Sequence, residues 1–408
     1  MKARKLLAAL IAAVMTVTLA ACGGGDGDNK NVTMWMYPVI ADEGKNKTFW
    51  DDQKAKFEKD NPGITLSIET RPWAKRDEQL ATAIAAGEGP DLVYLIPDQV
   101  PQYVESGGIV PVDEVVGELK SKMHPNGLKA VEVDGKSYGV PVLLSVSPLA
   151  WNKALFTEAG VTKLPETWEE VKAAAPKLAA KGHPIMNYYG AFPQAYFVPL
   201  LWQNGTDLFT EDGKDIAFNS KEGVEALQFL MDLQKVGGLP KDAPIADNNM
   251  PNEYFIGKKT AMTANLEAWR VPDTEKALGK DLVVGTGLKN KKAAAFGTVG
   301  MISRTKIRDN NTEAANAALK FFGSAEFSKA FNEAASQLPA RTDVKLANAG
   351  ASYKAQIAAL EVMSPGAIHP KSRQVIGVLS PNIQAALQGK KTAQQAMDDA
   401  AKEAKALL

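Results

Sequence analysis

Side chains able to do chemistry are unevenly spread along this chain of 408 residues. It has one cysteine, Cys22, and three histidines, His124, His183 and His369, which lie far apart and each precede a proline. No HExxH, GxSxG or Cys-based catalytic spacing occurs, and Gly23 to Gly25 open no helix that would make them a phosphate loop. A glycosidase needs two carboxylates flanking the scissile bond. With 47 acidic residues such a pair is conceivable, but no motif points to one. The residues therefore favour reversible binding over catalysis, with no metal or cofactor called for.

Cys22 has a different role. Lys2, Arg4 and Lys5 precede an apolar run from Leu6 to Ala20, the layout of an export signal. That run falls short of the roughly 20 residues a spanning helix needs, and no second one follows. Leu19-Ala20-Ala21-Cys22 is similar to the cleavage site of bacterial lipoproteins, which implies residues 1–21 as signal peptide and a lipidated Cys22 on a flexible tether, 22–31. The expected location is extracytoplasmic, on the cell membrane. Acidic and basic residues balance at 47 each, and loss of Lys2, Arg4 and Lys5 leaves a slight acidic excess, so nucleic acid is not an expected partner.

Behind these residues stands an α/β pattern. Val32 to Tyr37 is a β-branched and aromatic run, followed by a helix with Phe49, Trp50 and Phe57 that Asn61-Pro62-Gly63 should stop. Ile64, Leu66 and Ile68 alternate as a strand, and Leu80, Ile84 and Ala85 have helical spacing before Gly87. Gly89 to Ile96, GPDLVYLI, reads as a strand buried on both faces. Further on, Thr167 and Glu170 form a capping box, and Ser220 caps a helix bearing Val224, Leu227 and Met231. Such alternation predicts mainly parallel sheets flanked by helices.

Several stretches, in order, resemble the solute-binding proteins of ATP-driven (ABC) importers, in the carbohydrate-binding group that contains maltose-binding protein. They are AAGEGPDLVYL with ESGGIVPVDE, DGKSYGVPV with LAWNKALFTEAGVTKLPETWEE, FIGKKTAMTANLEAW, LPARTDV, and IQAALQGKKTAQQAM. The resemblance implies the type II fold: two α/β lobes joined by crossing segments, ligand in the cleft between them. It places lobe 1 at 32–140 plus 296–343 and lobe 2 at 141–295 plus 344–408. The implied function is capture of a carbohydrate, an oligosaccharide, by a monomer that delivers it to a membrane permease. A polyamine or glycerol phosphate as ligand, or an extracellular hydrolase, are the alternatives.

In open α/β sheets ligands gather beyond the carboxyl ends of strands, which singles out Tyr37, Trp73 and Asp98 after the first three strands. Sugars present apolar faces that stack on aromatic rings and hydroxyls that need planar polar partners. By resemblance Trp269 and Tyr196 are stacking residues and Asp98 a hydroxyl-binding carboxylate, with Tyr188 and Tyr189 as nearby aromatics. Glu267 and Arg341 could contribute to the site or pair across the lobes. Ser145 stands where maltose-binding relatives carry a carboxylate, and Val375 and Ile376 where they carry an aromatic, so a maltodextrin site does not transfer intact. Trp151, Trp168 and Trp202 are assigned to the core. For a polyamine, Asp42, Glu43, Asp98 and Glu267 are the available carboxylates.

Overall fold

The computed structural model describes residues 30–247, 252–306, 311–347 and 350–408. The signal peptide, Cys22 and most of the tether lie outside the described residues. Lys30 and Asn31, expected in the tether, already belong to the first strand, where they pair with Ile64 and Thr65.

The strands, in chain order, are β1 Lys30–Met36, β2 Ile64–Thr70, β3 Leu92–Leu95, β4 Glu132–Val133, β5 Lys136–Ser137, β6 Val140–Ser147, β7 Ala150–Asn152, β8 Met262–Thr263, β9 Leu282–Val284, β10 Ala295–Arg304, β11 Leu338–Pro339 and β12 Met363–Ser364. Seven of them form the sheet of the first lobe in the order β11-β6-β10-β3-β1-β2, with β12 beside β10. All four side chains of β3 are buried because β1 and β10 flank it and helices cover it, which is why its sequence is apolar without alternation. The helix Glu43–Asp60 buries Trp50 and Phe57 against this sheet. It ends at Asn61, and Gly63, at φ +88°, turns the chain into β2.

Two details depart from the expected mainly parallel sheets. In the first lobe β1, β2 and β3 are parallel, but β10 runs antiparallel to both β3 and β6. In the second lobe the short β8-β7-β9 sheet is the one sheet among the described residues, and both of its pairings are antiparallel. That lobe takes its core mainly from helices. Trp168–Ala179, Lys221–Lys235, Ser372–Leu387 and Ala393–Lys405 share one apolar cluster, in which the rings of Trp168 and Phe229 stack at 4.5 Å. The expected Thr167/Glu170 capping box and Ser220 cap are both present, and Trp151, Trp168 and Trp202 are buried.

Lobe boundaries shift as well. β6 lies in the first lobe's sheet through Ser147, so the first crossing follows Ser147 and not residue 140. Ala359 and Leu360 join the first lobe's core and β12 its sheet, so the last crossing falls between β12 and the helix Ser372–Leu387, not at 343. A cavity of 860 Å³ sits beside this crossing, between Asn126 and Lys129 on one side and Phe209 and Thr210 on the other, with His369 in its wall. None of the site residues expected from sequence lines it.

Candidate functional site

Strand ends build the first half of the site. β1, β2 and β3 run in one direction, so Tyr37, Trp73 and Asp98 emerge along one edge of the sheet, as expected. Trp73 is 41% exposed, and its ring lies on that of Tyr37 at 5.1 Å with 21° between planes. Tyr94 meets both edge-on, at 6.4 Å from Tyr37 and 6.3 Å from Trp73. Tyr37 itself is buried, and its hydroxyl is held above the usual phenol range by that burial. It therefore supports Trp73 from beneath. Tyr94 fits only because Gly300 of β10 has no side chain: a Cβ there would stand 2.2 Å from the Tyr94 hydroxyl oxygen.

Two cations and two carboxylates surround this stack. The Arg76 guanidinium lies 4.9 Å from the Trp73 ring centre, a cation–π distance. Burial, together with repulsion from Arg373, lowers its pKa. Asp98 occupies the 3-10 turn Pro97–Gln99 after β3 and is nearly buried. Its Oδ2 accepts from Arg373 Nε at 2.9 Å, and Arg373 also pairs with Asp77. Arg373 belongs to the helix Ser372–Leu387, whose apolar face sits in the second lobe's core, so the pairing spans the two lobes.

That helix leads to the second half. Ser380 Oγ donates to the Gly190 carbonyl at 3.1 Å, which sets the helix beside the Tyr188-Tyr189-Gly190 segment. Tyr189 packs on Tyr196 at 4.9 Å and on Tyr254 at 5.5 Å. Burial pushes the Tyr196 hydroxyl well above the usual range, and Glu267 adds to the shift. Glu267 accepts from Trp269 Nε1 at 2.8 Å, which fixes the half-buried indole in the turn Ala268–Arg270. The amides of Asn187 and Asn265, both almost fully buried, have hydrogen-bonding capacity left unfilled here. Buried polar groups in that condition are costly, which makes them natural partners for polar atoms of a ligand.

Three expected residues fall elsewhere. Arg341 makes no bridge between lobes: its Nη2 pairs with Asp343 at 2.8 Å and its Nη1 donates to the Gly323 carbonyl at 2.7 Å, ending the helix Thr312–Phe322 within the first lobe. Tyr188 is a fully buried core ring of the second lobe, edge-on to Tyr196. Ser145 sits half-buried in mid-strand opposite Thr298, and no contact among the described residues joins it to the aromatic groups. The residues that sequence reasoning passed over are Arg76, Asp77 and Arg373. The first two stand beside Trp73 in RPWAKRDEQL, and the strand-end rule that found Trp73 covers them. Arg373 had no local signal, being 296 positions from Asp77.

Residues 52–359 match the model of the bacterial extracellular solute-binding proteins, well over half of the chain. The chain belongs to that family. A Brucella abortus protein described only as a candidate binding protein is 31% identical over 218 residues, 52% of this chain; the chain spans about half the length of the curated relatives it matches at this identity, 51%. The galactooligosaccharide-binding protein of Bacillus subtilis is 25% identical over 99% of this chain and 97% of its own. Among solved structures, an ABC transporter solute-binding protein of Thermotoga lettingae with bound α-D-tagatose superposes with TM-score 0.77 at 24% identity, covering 93% of this chain and 99% of that one. That likeness places the chain in the type II two-lobe fold. Family members bind solutes, in keeping with the lack of a catalytic spacing. Among the described residues no helix is long and apolar enough to cross a membrane.

Proposed function

We propose that this chain is the solute-capturing component of an ABC importer, that its solute is a carbohydrate of more than one ring, and that it works as a monomer tethered to the cell membrane through lipid on Cys22. The observation that carries the reading is the pairing of two unlike surfaces. Trp73 on its aromatic support and Asp98 emerge along the same edge of the first lobe's sheet, and Arg373 ties Asp98 to the lobe that carries Tyr196 and Trp269. Rings suit the apolar faces of a sugar, and carboxylate, indole and amide groups suit its hydroxyls. The nearly full-length relation to a galactooligosaccharide-binding protein supports the same class.

The state of the carboxylates disfavours a polyamine. Asp98 is engaged by Arg373, Glu267 by Trp269, and Asp42 caps its helix by accepting from Lys45 N. With the Asp98 charge already offset by Arg373, the first lobe presents less net negative charge to a polycation.

A thermal-shift screen over galacto-, arabino- and maltooligosaccharides, polyamines and glycerol phosphate tests the reading. A ligand at 100 times its dissociation constant adds about 2.7 kcal/mol of stability. We expect a shift with an oligosaccharide that chromatography then recovers unchanged. A shift with polyamine alone, or recovery of cleaved sugar, overturns it. Fractionation of cells carrying Cys22→Ser tests the anchor: release of the protein from the membrane is expected, and retention through detergent-free washing refutes it.

A further inference from the structure

Arg373 enters the cleft from one lobe and ends among acceptors of the other. It stands in the first turn of a helix anchored in the second lobe by Leu379, Ile383 and Leu387. Both of its partners belong to the first lobe. Asp98 follows β3, and Asp77 opens the helix Arg76–Ala86 that follows β2. These acceptors are themselves fixed: Gln99 Nε2 donates to Asp77 Oδ1, while Gln99 Oε1 accepts from the Ile96 amide at 3.1 Å. The guanidinium thus divides its donors between two carboxylates that the first lobe holds in place.

Exposed ion pairs contribute little, because water screens them and two long side chains must be ordered. This one differs in both respects. The Asp98 side chain is 6% exposed, and Asp77 and Arg373 about a third, so screening is reduced. A planar guanidinium, moreover, serves two acceptors in one fixed geometry. With Oδ2 of Asp98 taken by Arg373, Oδ1 is the oxygen that accepts no hydrogen bond among the described residues.

We propose that Arg373 is a positioning residue: it latches the two lobes in the closed arrangement and holds Asp98 so that a single carboxylate oxygen is left for a ligand hydroxyl. The second half of this statement rests on the saccharide reading above; the latch does not. Apparent affinity scales with the fraction of molecules in the binding-competent arrangement, so a latch that favours closure tightens binding even where it never touches the solute.

The experiment compares the full mature chain with its Arg373→Met, Arg373→Lys and Asp77→Asn variants, each with a melting curve to establish folding. Small-angle scattering without ligand is recorded at about 10 mM and about 1 M salt, where the screening length falls from about 30 Å to about 3 Å. Wild type should be compact at low salt and stay so at high salt, because a largely buried pair is screened little, whereas Arg373→Met should be expanded at both. Arg373→Lys, a point charge that cannot fork, should fall between. For the saccharide giving the largest melting shift, Arg373→Met should weaken binding about ten-fold at low salt and Asp77→Asn about three-fold, the two effects not adding in the double variant. A ligand-free Arg373→Met protein as compact as wild type at both salts overturns the latch. Tighter binding by Arg373→Met overturns the positioning role, because it means that the solute must displace the guanidinium. If wild type binds no saccharide, the functional reading fails while the scattering still decides the latch.

Discussion

The two candidate binding surfaces, one on each lobe, are built on opposite plans. On the first lobe an exposed indole stands over a buried phenol with Arg76 against its ring, and Asp77 and Asp98 meet the incoming Arg373 at the same end of the sheet. On the second lobe the tyrosines are buried, the nearby amides are uncharged, and the Trp269 indole, bonded through Nε1 to Glu267, has the Arg270 guanidinium 5.2 Å from its ring centre. A charged, hydrated wall can set direction and register, because its groups reach partners through water as well as directly. A dry wall removes more apolar surface from water on contact and punishes any misfit. The comparison teaches that affinity should reside mainly with the second lobe, and closure and orientation with the first.

The largest test of that division is Trp269→Ala. We expect a loss of about 2 to 4 kcal/mol in saccharide binding, roughly thirty-fold to several-hundred-fold, against about ten-fold for Trp73→Ala. Calorimetric titration with a melting curve on the same samples decides it. A larger loss at Trp73 would invert the assignment, and a destabilised Trp269→Ala protein of unchanged affinity would make that indole a packing residue.

Next comes Gly300→Ala, which strikes the first wall from behind. The new methyl must displace the Tyr94 ring, whose Cε2 and Cζ would lie 2.7 Å away. Overpacking of this kind costs about 1 to 3 kcal/mol. The melting temperature should fall, and because Tyr94 borders both Tyr37 and Trp73, binding should weaken in step. Stability lost without any change in affinity would separate the aromatic stack from the site.

Smaller still, Arg341→Ala should cost about 1 to 2 kcal/mol of stability through its charge-assisted bonds while leaving affinity unchanged, since those bonds stay within one lobe. Chemical denaturation and titration together test this, and a loss of affinity would return Arg341 to the cleft. The smallest effect concerns Glu170. Its carboxyl is lowered from the usual 4.5 to about 2 by a hydrogen bond from Lys163 and by backbone donors at Glu166 and Thr167. Stability from this group is complete above pH 4.5 and drains away as pH falls toward 2. Glu170→Gln should flatten that part of the stability profile slightly, and equal acid sensitivity in both proteins would refute it.

What the sequence disclosed and what it withheld divide along a physical line. Local signals survived folding: the Thr167/Glu170 box, the Ser220 cap, the turn at Gly63, the fully apolar β3, and the strand ends that delivered Tyr37, Trp73 and Asp98. Indole placement was legible for Trp151, Trp168 and Trp202 because each lies in a packing segment. Pairings across long separations were not. The antiparallel entry of β10 between β3 and β6 has no signature in its own residues, since a strand covered on both faces reads alike in either direction. Arg373 was invisible for the same reason: its partners are set by where a helix docks. Arg341 shows the converse, a lone arginine that satisfies itself with Asp343 two positions away.

The position of β10 has a consequence for how the protein is made. β3 and β6 are both complete by residue 147, yet the strand that joins them spans 295–304. Much of what intervenes belongs to the other lobe, which in turn lacks its helices Ser372–Leu387 and Ala393–Lys405 until the last residues are present. Neither lobe exists as an unbroken stretch, so a growing chain must keep both cores open almost to its end. Contacts at such separations form slowly. Until they do, the LVYLI run at Leu92–Ile96 has one bare edge, the condition under which strands pair with the wrong molecule.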